Sequence, residues 1–200
     1  MLILGLTGNI GCGKSSLSDI FKKNNIEIID ADIISRQIFE DKDVLESVFK
    51  QFGNEIKYED GTLNRKALGN IVFNDDKKLI ELNNLTHPLI RNKILKRISD
   101  AKNKGEKVVV IDAALIVESQ YLDIIDKLLV VTCNIKEQIK RIKERDKCSE
   151  EEAIKRINSQ MNQREKVKFA DYIIDNSGDL ENLKLKANDF IIYMKENWCE

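Results

Sequence analysis

The chain has 200 residues, 42% hydrophobic and 34% charged, which suits one folded domain with a sizeable core and excludes a disordered chain. Its 33 basic and 34 acidic side chains leave a net charge of -1, so no global basic field marks a nucleic-acid binder, and an anionic ligand must be held by a local cluster. The four cysteines, Cys12, Cys133, Cys148 and Cys199, show no CxxC pairing and have no signal peptide ahead of them, which predicts reduced thiols in a cytoplasmic protein. Apolar runs such as "KVVVIDAALIV" are too short or too interrupted to cross a hydrocarbon layer of roughly 30 Å.

In chain order, β-branched runs at 2–7, 26–30, 107–112, 127–132 and 171–175 alternate with longer helical patterns. That alternation predicts an α/β fold, a parallel five-stranded sheet flanked by helices. Directly after the first run, Gly8, Gly13, Lys14 and Ser15 satisfy GxxxxGK[ST], the phosphate loop that joins a strand to a helix. Glycines let successive N–H groups turn inward, Lys14 carries charge to the β and γ phosphates of ATP, and Ser15 can ligate Mg²⁺. Cys12 reads as a small filler residue, although Lys14 and the helix N-terminus could lower its pKa. Leu17, Ile20 and Phe21 give the following helix one apolar face, and Asn24 and Asn25 can end it.

The second strand ends in "DAD". Asp30 and Asp32 therefore fall at the carboxyl edge of a parallel sheet, where ligands bind. Asp32 is assigned to chemistry, as proton acceptor from an attacking hydroxyl, and Asp30 to capping or support. About 75 residues of mainly helical periodicity follow before the third strand, far more than a βα connection needs, and predict an inserted helical subdomain over 32–104. Within it, His87 precedes Pro88, which places Pro88 in the first turn of a helix with Arg91 one turn later. The third strand closes on Asp112, suited to holding Mg²⁺ through water, and Glu118 follows soon after. A second helical excursion over 136–169 is predicted to form a lid. There Gln138, Arg141 and Arg145 share one face beside an apolar stripe of Ile135, Ile139 and Ile142, and Ser149 with Glu152 has capping-box spacing. Arg156, Gln160 and Arg164 repeat the basic spacing. The core then comprises 1–31, 105–135 and 170–200.

Together "GLTGNIGCGKS", "DADIISR", "DGTLNRKAL", "HPLIR", "ALIVE", "QIKRIKERD", "RINSQM" and "ADYIIDNSG" resemble the dephospho-coenzyme A kinase family over nearly the whole chain. The resemblance implies a P-loop kinase fold and a catalytic group of Asp32, Lys14 and Arg145. It implies that ATP is held by Gly11, Cys12, Gly13, Lys14, Ser15, Ser16 and Arg141, with Asn176 to Gly178 bordering the adenine. Dephospho-coenzyme A would meet Asp32, Arg36, His87, Arg91, Leu115 and Glu118, and Mg²⁺ would meet Ser15 and Asp112. Two departures stand out. Ala114 occupies a position where the family usually has proline, and Asn9 one where many relatives have glycine.

A nucleoside monophosphate kinase would share loop, lid and strand pattern and differ only in its acceptor. A GTPase would need NKxD after a strand, and "NKGE" at 103–106 has Glu106 and precedes one. A monomer or weak homo-oligomer acting on a small-molecule substrate, without nucleic acid or membrane, is expected.

Overall fold

The computed structural model describes residues 1–119 and 121–199. Among them, β1 (Leu2–Gly8), β2 (Glu27–Asp30), β3 (Val108–Asp112), β4 (Lys127–Thr132) and β5 (Tyr172–Asp175) form one sheet in the order β2-β3-β1-β4-β5. Every pairing is parallel. These strands coincide with the predicted runs because β1, β3 and β4 are buried along nearly their whole length, as a sheet covered on both faces requires. The register sets Asp30 of β2 directly beside Asp112 of β3, so two adjacent strands end in carboxylates at the same edge.

Helix α1 (Lys14–Lys23) follows β1 and buries Leu17, Ile20 and Phe21 as its periodicity predicts, together with Ser18. Its end is a Schellman turn. Asn25 takes positive φ (59°), the Asn25 N–H donates to Lys22 O at 3.0 Å, and the Ile26 N–H donates to Phe21 O at 3.1 Å. Farther on, α6 (Ile135–Asp146), α7 (Glu150–Asn158) and α8 (Gln163–Val167) build the region between β4 and β5, and α9 (Leu180–Asn197) closes the chain. The capping box of Ser149 and Glu152 is formed at the start of α7. Against the sheet, Phe190 of α9 meets Phe21, Tyr172 and Trp198 at ring distances of 6.0, 4.8 and 5.7 Å.

Two compact units divide the chain. The first comprises Met1–Asp30 and Ile98–Glu200, the second Ala31–Arg97. In the second, α2 (Ala31–Gln37), α3 (Lys42–Phe52), α4 (Arg65–Val72) and most of α5 (Asp76–Asn103) enclose their own core of Val48, Phe52, Ile56, Leu68 and Val72. The unit ends at Arg97, short of 104, since the last turns of α5, with buried Ile98 and Ala101, group with the first unit.

One expectation fails in α5. Pro88 does not open a helix but lies inside one. The helix begins earlier because Asp75 caps it, its Oδ1 accepting from the N–H of Lys77 at 2.9 Å and of Lys78 at 3.3 Å. The apolar period runs straight through the proline, from Leu79, Leu82 and Leu85 to Ile90 and Ile94. An interior proline forfeits one helical hydrogen bond at a cost of about 3 kcal/mol, which burial on both sides offsets.

Candidate active site

The loop between β1 and α1 is bent by two glycines in the left-handed region, Gly11 (φ 80°) and Gly13 (φ 90°). Gly13 is the N-cap of α1 and has no side chain to offer. The first turn carries no carboxylate either, so the positive end of the helix is left to an external anion. A Cβ on Gly13 would come within 2.1 Å of Asn176 Nδ2, which shows how tightly the loop is packed there.

That packing comes from uncharged amides. Gln138 Nε2 donates to Ile10 O at 2.6 Å, and Gln160 Oε1 accepts from the Ile10 N–H at 2.8 Å. Asn9 Nδ2 donates to Met161 O at 2.8 Å, and Asn176 Nδ2 donates to Cys12 O at 2.8 Å. Asn9 thus earns its place in the loop by tying it to the segment between α7 and α8. Helical spacing alone does not reveal this role for Gln160. The run "NSQMNQ" at 158–163 carries the signal, since so many side-chain amides together suit a hydrogen-bonding surface better than a plain helix.

Lys14 Nζ is bonded to Asp112, whose other carboxylate oxygen accepts from the Ser18 hydroxyl. Asp112 is buried, so its charge is neutralised by the lysine and satisfied by the hydroxyl. Ser15 is exposed and Ser16 half-buried, at the open side of the helix start. Beyond β3, the carbonyl of Ala114 accepts from Thr7 Oγ1 at 3.0 Å and from Lys166 Nζ at 2.8 Å. Two donors therefore fix this turn without a proline. Leu115 is exposed, while Ile116 and Val117 are buried. Glu118 Oε1 lies 3.0 Å from Lys166 Nζ, and the lysine side chain is 0% exposed.

Gly13, Ser16, Arg141, Asn176 and Gly178 line a cleft of about 660 Å³. Arg141 enters it from α6. Its Nη2 donates to Gly178 O at 2.8 Å, whereas Nη1 is buried with no hydrogen-bond partner among the described residues. That nitrogen lies 3.9 Å from where a Gly13 Cβ would stand. A buried guanidinium N–H without an acceptor is costly, and an anion beside the loop would supply the acceptor. The site thus fits a nucleotide phosphate.

The face of α6 differs from the expected stripe. Ile142 is buried, but Ile135 is 53% exposed and Gln138 is buried instead, because the amide turns in to the loop. Arg145 meets Asp146 through a pair of hydrogen bonds at 2.7 and 3.0 Å, and Arg156 reaches the same carboxylate. The Arg145 hydrogen bond holds the Asp146 carboxyl below its ordinary range and raises the guanidinium. The cysteines also depart from expectation. The Cys12 thiol is raised, chiefly by its hydrogen bond with Cys133 and by burial, so the nearby lysine does not activate it. Cys133 is the thiol held low, by that same bond and by the charge of Arg141.

In the second unit, Asp32 is the second residue of α2, inside the helix and therefore not its cap. It is exposed, and its carbonyl accepts from Ser35 Oγ at 2.8 Å. Arg36 is also exposed, with its carbonyl bound by Arg65 Nη2 at 2.9 Å. His87 and Arg91 are half-buried neighbours one turn apart on α5, and burial lowers the His87 pKa.

A family model described as dephospho-CoA kinase matches residues 2–182. A dephospho-CoA kinase of Listeria innocua is 40% identical over 189 residues, which covers 94% of each chain. Among solved structures, a Thermus thermophilus protein has a TM-score of 0.85 at 28% identity over 96% of this chain and 97% of its own. The dephospho-CoA kinase from Campylobacter jejuni has a TM-score of 0.74 at 32% identity over 97% of both chains. With the loop, sheet order and near-complete coverage in agreement, the chain belongs to the dephospho-CoA kinase family.

Proposed function

We propose that the protein transfers the γ-phosphoryl group of ATP to the ribose 3′-hydroxyl of dephospho-coenzyme A, yielding ADP and coenzyme A. The donor half rests on one observation above all, the buried Arg141 Nη1 beside Gly13, which has no hydrogen-bond partner among the described residues, in a cleft of nucleotide size. Family membership supports the acceptor. The N–H groups at the start of α1 hold phosphate oxygens, and Lys14, now on Asp112, neutralises charge on the transferred group. Mg²⁺, which Ser15 and, through water, Asp112 would hold, would add charge neutralisation at the same phosphates.

Asp32 accepts the proton of the 3′-hydroxyl, and Arg145 stabilises the phosphoryl group in transit. Arg36, His87, Arg91, Leu115 and Glu118 form the acceptor side. Glu118 does so by fixing Lys166 and, through it, the Ala114 carbonyl. Among the described residues no helix is long and apolar enough to cross a membrane. The enzyme is further proposed to act in the cytoplasm, as a monomer or weak homo-oligomer. Purified protein supplied with Mg²⁺, ATP and dephospho-coenzyme A should produce stoichiometric ADP and coenzyme A. Failure there, with ready phosphorylation of a nucleoside monophosphate, overturns the acceptor assignment.

A further inference from the structure

The sulfurs of Cys12 and Cys133 lie 3.4 Å apart, one in the middle of the phosphate loop and the other directly after β4. Both residues are buried, and neither is in a disulfide. Gln163 holds them together. Its Oε1 accepts from Cys12 Sγ at 3.3 Å and from the Cys133 N–H at 3.2 Å, while its Nε2 donates to Cys133 O at 3.2 Å. Such an arrangement is more than packing needs, since any small apolar pair would fill the same space. Cys133 also lines a cleft of about 570 Å³ with Asn9, Gln138, Gln160 and Asn162. This polar-walled cleft brings a small solute up to Cys133.

The two thiols are unequal. Cys12 keeps its proton, whereas Cys133 ionises more readily, favoured by that hydrogen bond and by Arg141. A nucleophilic thiolate beside a protonated resolving thiol is the arrangement in which oxidation proceeds to a disulfide.

We propose that Cys12 and Cys133 are a modification site for hydroperoxides, a dithiol that closes to a disulfide and thereby disables the phosphate loop. The Cys133 thiolate attacks the terminal peroxide oxygen, the O–O bond breaks, and the departing alkoxide takes a proton to leave as alcohol, or as water from hydrogen peroxide. Cys133 is left as a sulfenic acid. Cys12 sulfur then attacks Cys133 sulfur, the S–O bond breaks, and the hydroxide leaves with the Cys12 proton as water. Two thiols lose two electrons, and the peroxide gains them.

A disulfide is about 2.05 Å long, so the sulfurs must approach by more than 1 Å. The loop is the side able to yield, because Cys12 stands between the left-handed glycines Gly11 and Gly13. Misplacing phosphate-binding groups by about 1 Å can cost on the order of 10²-fold. Small thiols reverse the bond by exchange, and the free cysteines are the resting state.

The test treats the full chain with hydrogen peroxide, alkylates the remaining thiols, and maps disulfides by mass spectrometry while following ADP affinity by calorimetry. The expected result is a Cys12–Cys133 linked peptide lighter by two hydrogens. ADP affinity should be weaker by at least about tenfold, restored by dithiothreitol. A Cys133→Ala variant should start with unchanged ADP affinity and keep it under peroxide, and a Cys148→Ser/Cys199→Ser variant should respond like the parent. Three results overturn the proposal: Cys12 and Cys133 stay alkylatable while Cys148 oxidises, the disulfide forms with ADP affinity unchanged, or Cys133→Ala is inactivated equally. Disulfide mapping and ADP binding do not depend on the acceptor, so failure here is distinct from failure of the kinase reading.

Discussion

Lys166 is a charged side chain with no solvent exposure, bonded to Glu118 and to the Ala114 carbonyl. Its partner is less enclosed, with the Glu118 side chain 24% exposed. That asymmetry fixes the order of damage. Glu118→Leu strands a buried ammonium with only a neutral carbonyl for company, and breaking a buried pair in this way costs about 3–5 kcal/mol. Lys166→Met removes the buried charge and keeps a chain of similar length. The carboxylate left behind can turn to water, and the Ala114 carbonyl retains Thr7 Oγ1, so the loss is about 1–2 kcal/mol. The double variant should resemble Lys166→Met and be more stable than Glu118→Leu alone. Urea unfolding of the four proteins measures the cycle. At about 2–4 °C per kcal/mol for a chain of this size, Glu118→Leu should melt roughly 6–20 °C lower. Strict additivity, or a Glu118→Leu loss below about 1 kcal/mol, would refute the reasoning.

Asp32→Asn should lower kcat by about 10²–10⁴ with ATP affinity unchanged, and an equal loss of ATP binding would make Asp32 structural. Gly13→Ala forces a Cβ into the left-handed region at φ 90° and against Asn176. The conformation alone costs roughly 1–2 kcal/mol, and both melting temperature and ATP affinity should fall. Arg141→Gln removes the charge beside Gly13, so ATP should bind about tenfold more weakly, or about 1.4 kcal/mol. Its affinity should also depend less steeply on salt, whereas an unchanged Kd would detach Arg141 from the phosphates.

The sheet was legible in the sequence because strands buried on both faces are written as unbroken β-branched runs, and the loop because its spacing is dictated by phosphate geometry. Pro88 misled, since a proline before an apolar helix usually marks a start, and only the Asp75 cap and the period carried through 79–94 reveal otherwise. The lid arginines were read as one basic face. In the structure Arg145 and Arg156 converge on Asp146, while Gln138 and Gln160 turn toward the loop. Their contacts span more than a hundred residues of sequence, a distance over which periodicity carries no information. The Cys12–Cys133 contact is hidden for the same reason.

The amide clasp on the phosphate loop has a consequence for how the enzyme meets its surroundings. Gln138, Gln160, Asn9 and Asn176 hold the loop through dipoles that neither titrate nor draw counterions. Salt therefore acts on the affinity for the nucleotide, by screening Lys14 and Arg141, while the mould into which it fits keeps its shape. Division of labour between neutral scaffold and charged hands lets the protein present a finished receptor before any ligand arrives.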